Sequence, residues 1–188
     1  MQRVCLVPYD PSWAAEFDRE ASAVAGAMGG VLVAIHHIGS TAIPGIRAKP
    51  VIDMLAVVND VAVLDGSGQA MEALGYEVMG EFGMAGRRYF RKEGADGNRT
   101  NQVHAFLVGS PQIERHLAFR DFMRVHPDEA ERYDALKGRL AEMYPADVGS
   151  YTDGKDGFIR EMDARAEAWR DGLGSAGKLS ERSSETGR

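Results

Sequence analysis

The chain has 188 residues, 44% of them hydrophobic, enough for one ordinary core and too few to expect two. A formal charge of -6 and a pI near 5.4 argue against a general nucleic-acid binder, which needs a basic surface, while leaving room for a local basic pocket. Cys5 is the single cysteine, so no internal disulfide can form. With no signal peptide, the expected compartment is the reducing cytosol, and the longest apolar run, Val31 to Ile35, falls far below membrane-spanning length.

In chain order, Val4 to Val7 reads as a short extended piece closed by Pro8. Asp10 then suits a helix cap with Pro11 in the first helical position. Trp13, Phe17, Ala21, Val24 and Met28 recur at helical spacing until Gly29-Gly30 ends the pattern, and Trp13 and Phe17 read as core.

The stretch HIGSTAIPGIRAKPVIDMLAVV, His37 to Val58, follows. VLVAIHHI before its Gly39-Ser40 bend is an apolar, β-branched strand, and Val51 to Val58 is a second, carrying one acid, Asp53. A carboxylate in an otherwise apolar strand must protonate, pair with a cation or bind a metal. Between the strands, Gly39, Ser40, Thr41, Pro44, Gly45, Arg47, Lys49 and Pro50 combine close backbone approach, hydrogen-bond donors and positive charge. That mixture suits a bound phosphate. The same residues also make ordinary turns, and Lys49 could simply pair with Asp53, so both readings stay open. His36 and His37 are adjacent in a strand and point to opposite faces; His37 is the better site candidate, with a turn or capping role the alternative.

Asn59 to Leu74 reads as a helix broken at Gly66-Ser67-Gly68, and Tyr76 to Met79 as a strand. Arg88 to Lys92 and Asn101 to Val108 bracket the turn-rich GADGNRT as a β-hairpin. Three amphipathic helices follow, from Ser110 to His126, Asp128 to Tyr144 and Thr152 to Trp169. Residues 171–188 read as a disordered polar tail after a domain of residues 1–170. The expected fold is α+β: one mixed sheet of about five strands packed with helices, and a helical C-terminal segment.

HIGSTAIPGIRAKPVIDML, RRYF, NRTNQVHAF, ERHLAFRDFMRVHP, YDALK and YTDGKDGFI, in this order, resemble the GrpB family of bacterial proteins, over about Val4 to Trp169. The resemblance implies a nucleotidyltransferase fold, and some members occur fused to dephospho-coenzyme A kinase. In that superfamily a Gly-Ser pair holds the triphosphate, two acids at alternate strand positions bind two metal ions, and a third acid lies on a later strand. Gly39-Ser40 and Asp53 match; the second acid is replaced by Leu55, and the later one by His104. One face therefore offers one carboxylate instead of a chelating pair. An Asp53 and His104 pair would suit a transition metal, with Mg²⁺ arriving on a nucleotide; the alternative is that His104 only hydrogen-bonds in the core.

Alternation sends one of Arg87 and Arg88 toward the site, and the resemblance selects Arg88 as a bidentate phosphate ligand, the alternative being a surface salt bridge. Lys155, at the start of a helix whose dipole disfavours it, points to an anionic partner. Arg120 and Asp121 read as a helix-packing ion pair. Together these residues imply a protein that binds a nucleotide or other phosphorylated small molecule at Gly39, Ser40, Lys49, Arg88 and Lys155. Asp53 and His104 are the expected catalytic and metal-contacting groups. The reaction would be transfer of a nucleotidyl group to a small acceptor, the alternative a noncatalytic ligand-binding or regulatory domain.

Overall fold

In the computed structural model the described residues are 3–185, with side chains described through Leu173. Helix α1, Ser12–Met28, leads into β1, Leu32–Ile38, and β2, Ile52–Val58. The short helices α2, Val61–Asp65, and α3, Gly68–Ala73, precede β3, Tyr76–Val78, β4, Arg87–Glu93, and β5, Arg99–Leu107. Helices α4, Pro111–Val125, α5, Pro127–Met143, α6, Val148–Asp153, and α7, Asp156–Glu185, complete the chain. The five strands form one mixed sheet in the order β1-β2-β5-β4-β3, parallel only between β2 and β5.

Local chemistry accounts for the boundaries. Asp10 accepts from the Ser12 N–H at 2.8 Å at the start of α1, and Asp60 accepts from Ala62 and Val63 at the start of α2. Ser110 caps α4 with Pro111 at its first position. The helix expected from Thr152 to Trp169 divides: α6 begins at Val148, capped by Asp147, and the chain turns at Gly154-Lys155 before α7. Gly154 is where the crossing is tight, since a Cβ there would lie 2.5 Å from Leu140 Cδ2. Residues 171–185, read as a disordered tail, continue α7 instead. No proline interrupts them, and extending a formed helix is far easier than nucleating one. Residues 186–188 of that tail lie outside the described residues.

The period-two pattern of β2 serves two cores. Met54, Ala56 and Val58 join Val103, Ala105 and Phe90 against Trp13, Val24 and Met28 of α1 and Met71 of α3. On the other face Leu55 and Val57 pack with Phe106, Ile38 and Ile113. Each such side chain contributes about 1.5–3 kcal/mol on full burial. A third cluster, Ile43, Ile46, Phe122, Met123, Tyr133 and Met162, glues the loop between β1 and β2 to α4, α5 and α7. The helical half of the chain thereby sits over the end of β2 that carries Asp53. No described helix is long and apolar enough to cross a membrane.

Candidate functional site

Leaving β1, the chain turns at Gly39 with φ 72°, and residues 40–42 form one 3-10 turn. A Cβ at Gly39 would lie 2.3 Å from Asp53 Oδ2, so the bend presses its backbone against that carboxylate as only glycine can. The loop is fixed from several sides. Thr41 donates to Val51 O at 3.1 Å and contacts His37 Nε2 at 2.9 Å; Arg124 donates to Ala42 O at 2.7 Å. Lys137 donates to Arg47 O, and Arg47 pairs with Asp134 at 2.9 Å.

Asp53 is partly buried, and its carboxylate accepts no hydrogen bond from a described residue. Burial pushes it up to about 6 against the opposing pull of Lys49, Lys155 and Arg99. Lys49, Lys137, Lys155 and Arg99 surround a cavity of about 430 Å³ whose wall includes Gly39, Ser40, Asp53, Tyr133 and Tyr151. None of these four cations forms a contact ion pair with a described carboxylate. Aromatic faces hold the ammonium groups instead: Lys155 and Lys49 lie 4.6 and 5.3 Å from the Tyr151 ring centroid, and Lys137 lies 4.8 Å from that of Tyr133. Burial pulls Lys137 and Lys155 down to about 8, and Lys137 is 1% exposed, an extreme for lysine. The buried Nε of Arg99 has no hydrogen-bond partner among the described residues, while its Nη1 donates to the Tyr89 hydroxyl at 3.3 Å. In an acidic chain this is a basic pocket around one acid, within the roughly 300–1,000 Å³ of small-molecule sites.

A second cavity, about 310 Å³, shares Gly39, Asp53, Tyr133 and Lys155 with the first and adds His104, His116 and Arg115. His104 faces the same side of the sheet as Asp53, since Asp53 pairs with Gln102 and Leu55 with His104. It is pressed to about 3, by burial first and then by His116, Arg87 and Arg115, so it is neutral and a poor base near neutral pH. Its Nδ1 lies 3.5 Å from Arg87 Nη1. Asp53 and His104 make two protein ligands amid four cationic groups, whereas catalytic zinc sites use three, and no described cluster of three His, Cys, Asp or Glu is present. The donor set does not fit a transition metal held by the protein. A single carboxylate does fit Mg²⁺, which takes oxygen ligands and is commonly held by one or two carboxylates with the rest of its shell from elsewhere.

Gly39, Ser40, Lys49, Asp53 and Lys155 thus converge on one cavity, with His104 on the adjoining one. Arg88 does not join them. It lies on the opposite face, where its Nε and Nη2 bind the Asp65 carboxylate at 2.5 and 2.9 Å; Arg87 shares the face of His104. The register sets this: Arg88 pairs with Ala105, which faces α1, and Tyr89 with His104. His37 also faces α1, stacked 4.9 Å from Phe17. Arg120 does pair with Asp121, at 2.7 Å, and also donates to His37 O. Sequence reading missed Arg99, Lys137, Tyr133 and His116. Lys137 lies on the buried stripe of α5 with Tyr133 and Leu140, a misplaced charge that was the available signal. Arg99 ends a turn and carries none.

The profile of the GrpB protein family matches residues 3–165. The protein YqkA of Bacillus subtilis is 42% identical over 175 residues, covering 93% of this chain but 50% of YqkA, so the chain spans half of that relative. The crystal structure of a conserved protein GrpB from Enterococcus faecalis superposes with TM-score 0.83 at 39% identity, covering 88% of this chain and 99% of that one. A dephospho-CoA kinase of Mycolicibacterium paratuberculosis is 28% identical over 91% of this chain and 48% of its own length. At the level of fold, Cid1 in complex with its short product ApU matches with TM-score 0.51 at 10% identity, over 78% of this chain and 48% of Cid1. This chain therefore belongs to the GrpB family and has a nucleotidyltransferase-like fold.

Proposed function

We propose that the Asp53 cleft binds the phosphate groups of a nucleotide or other phosphorylated small molecule. The observation that carries this reading is the set of unpaired cations, Lys49, Lys137, Lys155 and Arg99, around the Gly39-Ser40 bend and one carboxylate. Lys49 and Lys155, resting on the Tyr151 face without a carboxylate partner among the described residues, keep their charge for an anion, and Gly39 and Ser40 line the same cavity. Asp53 would hold a magnesium ion brought in on the phosphates, and transfer of a nucleotidyl group would draw on positioning and on charge neutralisation by the lysines.

A second reading, a noncatalytic ligand-binding or regulatory domain, draws support from Leu55. That side chain is 0% exposed in an apolar cluster where a second metal-binding acid would stand. The relative named as a dephospho-CoA kinase places coenzyme A precursors in the ligand panel.

Thermal shift of the full chain with the four NTPs and dephospho-CoA, with and without Mg²⁺ or Mn²⁺, tests both. Binding with pyrophosphate release supports transfer, and binding without turnover supports the noncatalytic domain. No binding counts against both. Asp53→Asn is expected to stay folded and to weaken Mg²⁺-dependent binding by roughly tenfold, about 1.4 kcal/mol. If it unfolds the chain and Mg²⁺ has no effect on the parent, Asp53 is structural.

A further inference from the structure

The connection from β3 to β4, residues 79–86, contains three glycines at positive φ: Gly80 at 59°, Gly83 at 81° and Gly86 at 77°. Phe82 stands among them at φ 43°, the single non-glycine residue with positive φ among those described. For a bulky side chain that backbone is strained, and such strain persists where neighbours over-determine it. Here Arg87 donates from Nε to Glu81 O at 3.2 Å and from Nη2 to Phe82 O at 2.7 Å, while Glu81 Oε1 accepts from Gly86 N at 2.7 Å.

What the clamped loop presents is an aromatic ring in water. Phe82 is 54% exposed, and it lines the same 430 Å³ cavity as Asp53 and Lys155. The ring stacks on Tyr89 with centroids 5.3 Å apart and planes inclined by 22°, and the Arg87 guanidinium lies 4.9 Å from the Tyr89 centroid. Guanidinium, phenol and phenyl thus form one contiguous group, whose Phe82 member lies on the wall of a basic cavity. Phosphate has no use for an exposed phenyl ring, whereas a planar heterocycle attached to that phosphate does.

We propose that Phe82 is the stacking platform for the base of a bound nucleotide, so that the ligand class is nucleoside phosphates and not phosphosugars or inorganic polyphosphate. The proposal rests on the phosphate-binding reading of the same cleft. Stacking tolerates any base because every base has a π face, so the platform selects for the presence of a base more than for its identity.

Calorimetric titration of the full chain with ATP, UTP and inorganic tripolyphosphate, all with Mg²⁺, tests it on the parent and on Phe82→Ala, Phe82→Gly and Phe82→Trp. The parent is expected to bind nucleotides on the order of tenfold more tightly than tripolyphosphate. Phe82→Ala and Phe82→Gly bring nucleotide affinity down to the tripolyphosphate level and leave tripolyphosphate itself unchanged. Glycine accepts the φ of this position, so its variant separates lost stacking from a collapsed loop. Phe82→Trp keeps the preference, and its added fluorescence is quenched by nucleotides but not by tripolyphosphate. Equal affinities in the parent, equal losses for both ligand types, or no loss in either truncation overturn the stacking role. If tripolyphosphate and nucleotides both fail to bind the parent, the phosphate reading falls and takes this proposal with it.

Discussion

Asp53, Lys137 and Lys155 each carry a charge that burial opposes, and the sign of the opposition fixes how stability responds to pH. Asp53 is raised from 3.8 to about 6, so across that window the folded chain keeps a proton the unfolded chain has released. Stability accordingly falls as pH climbs from about 4 to about 6. Lys137 and Lys155 are lowered from 10.5 to about 8, so between those values the unfolded chain holds the extra protons and stability rises with pH. Urea titrations of the ligand-free chain should show both limbs, with opposite slopes. A bound phosphate favours the ammonium forms. Binding at pH 8.5 should therefore take up protons, seen as a dependence of calorimetric heat on buffer ionisation enthalpy, and weaken as pH rises further. Absence of proton uptake would remove the two lysines from the binding surface.

At the scale of elements, the β1 to β2 connection is set by a steric fact. Gly39→Ala combines φ 72° with a Cβ 2.3 Å from Asp53 Oδ2, so the bend or the carboxylate must move. A loss of about 2–4 kcal/mol in a denaturant melt is expected. Strand β2 carries a different constraint. Leu55→Asp would put a carboxylate among Val57, Phe106, Ile38 and Ile113, and should cost more than Leu55→Ala, itself about 2–5 kcal/mol. Urea unfolding of the two variants decides this. If Leu55→Asp proves as stable as the parent, the apolar cluster has not claimed the second acid's position. The same strand logic explains Arg88. Alternation in RRYF correctly sent neighbouring arginines to opposite faces, but which face meets the cleft depends on the register of β4 on β5, and Arg88 pairs with Ala105 on the α1 side.

Over the whole molecule, a net charge of -6 surrounds a cleft in which four cations face one acid. A long polyanion meets the negative exterior, while a small phosphorylated ligand meets the cleft alone. Affinity for nucleoside triphosphates should fall several-fold between 50 and 500 mM salt, since partly exposed charges are screened over roughly 14 to 4 Å at those strengths. A 20-nucleotide single strand should compete weakly with ATP in the same assay; strong competition would overturn the separation of charge between exterior and cleft. The helical half is part of this arrangement because α5 supplies Lys137 and Tyr133, and the turn between α6 and α7 supplies Lys155.

Local patterns determined much of this protein. The apolar strands broken by Gly39-Ser40, the lone acid Asp53, the Ser110-Pro111 helix start and the broken helix before Tyr76 each follow from neighbours within a few residues, where sterics and periodicity act. Six ordered motifs also carried the family resemblance, and with it the fold. Only the tertiary structure decided which of Arg87 and Arg88 faces the cleft, and that Arg99 and Lys137, distant in sequence, stand beside Asp53. It also made His104, expected as a catalytic and metal-contacting group, a neutral ring, by burying it first and then by setting His116, Arg87 and Arg115 near it. Burial, field and sheet register are properties of residues brought together from across the chain, and no spacing along one strand or helix specifies them.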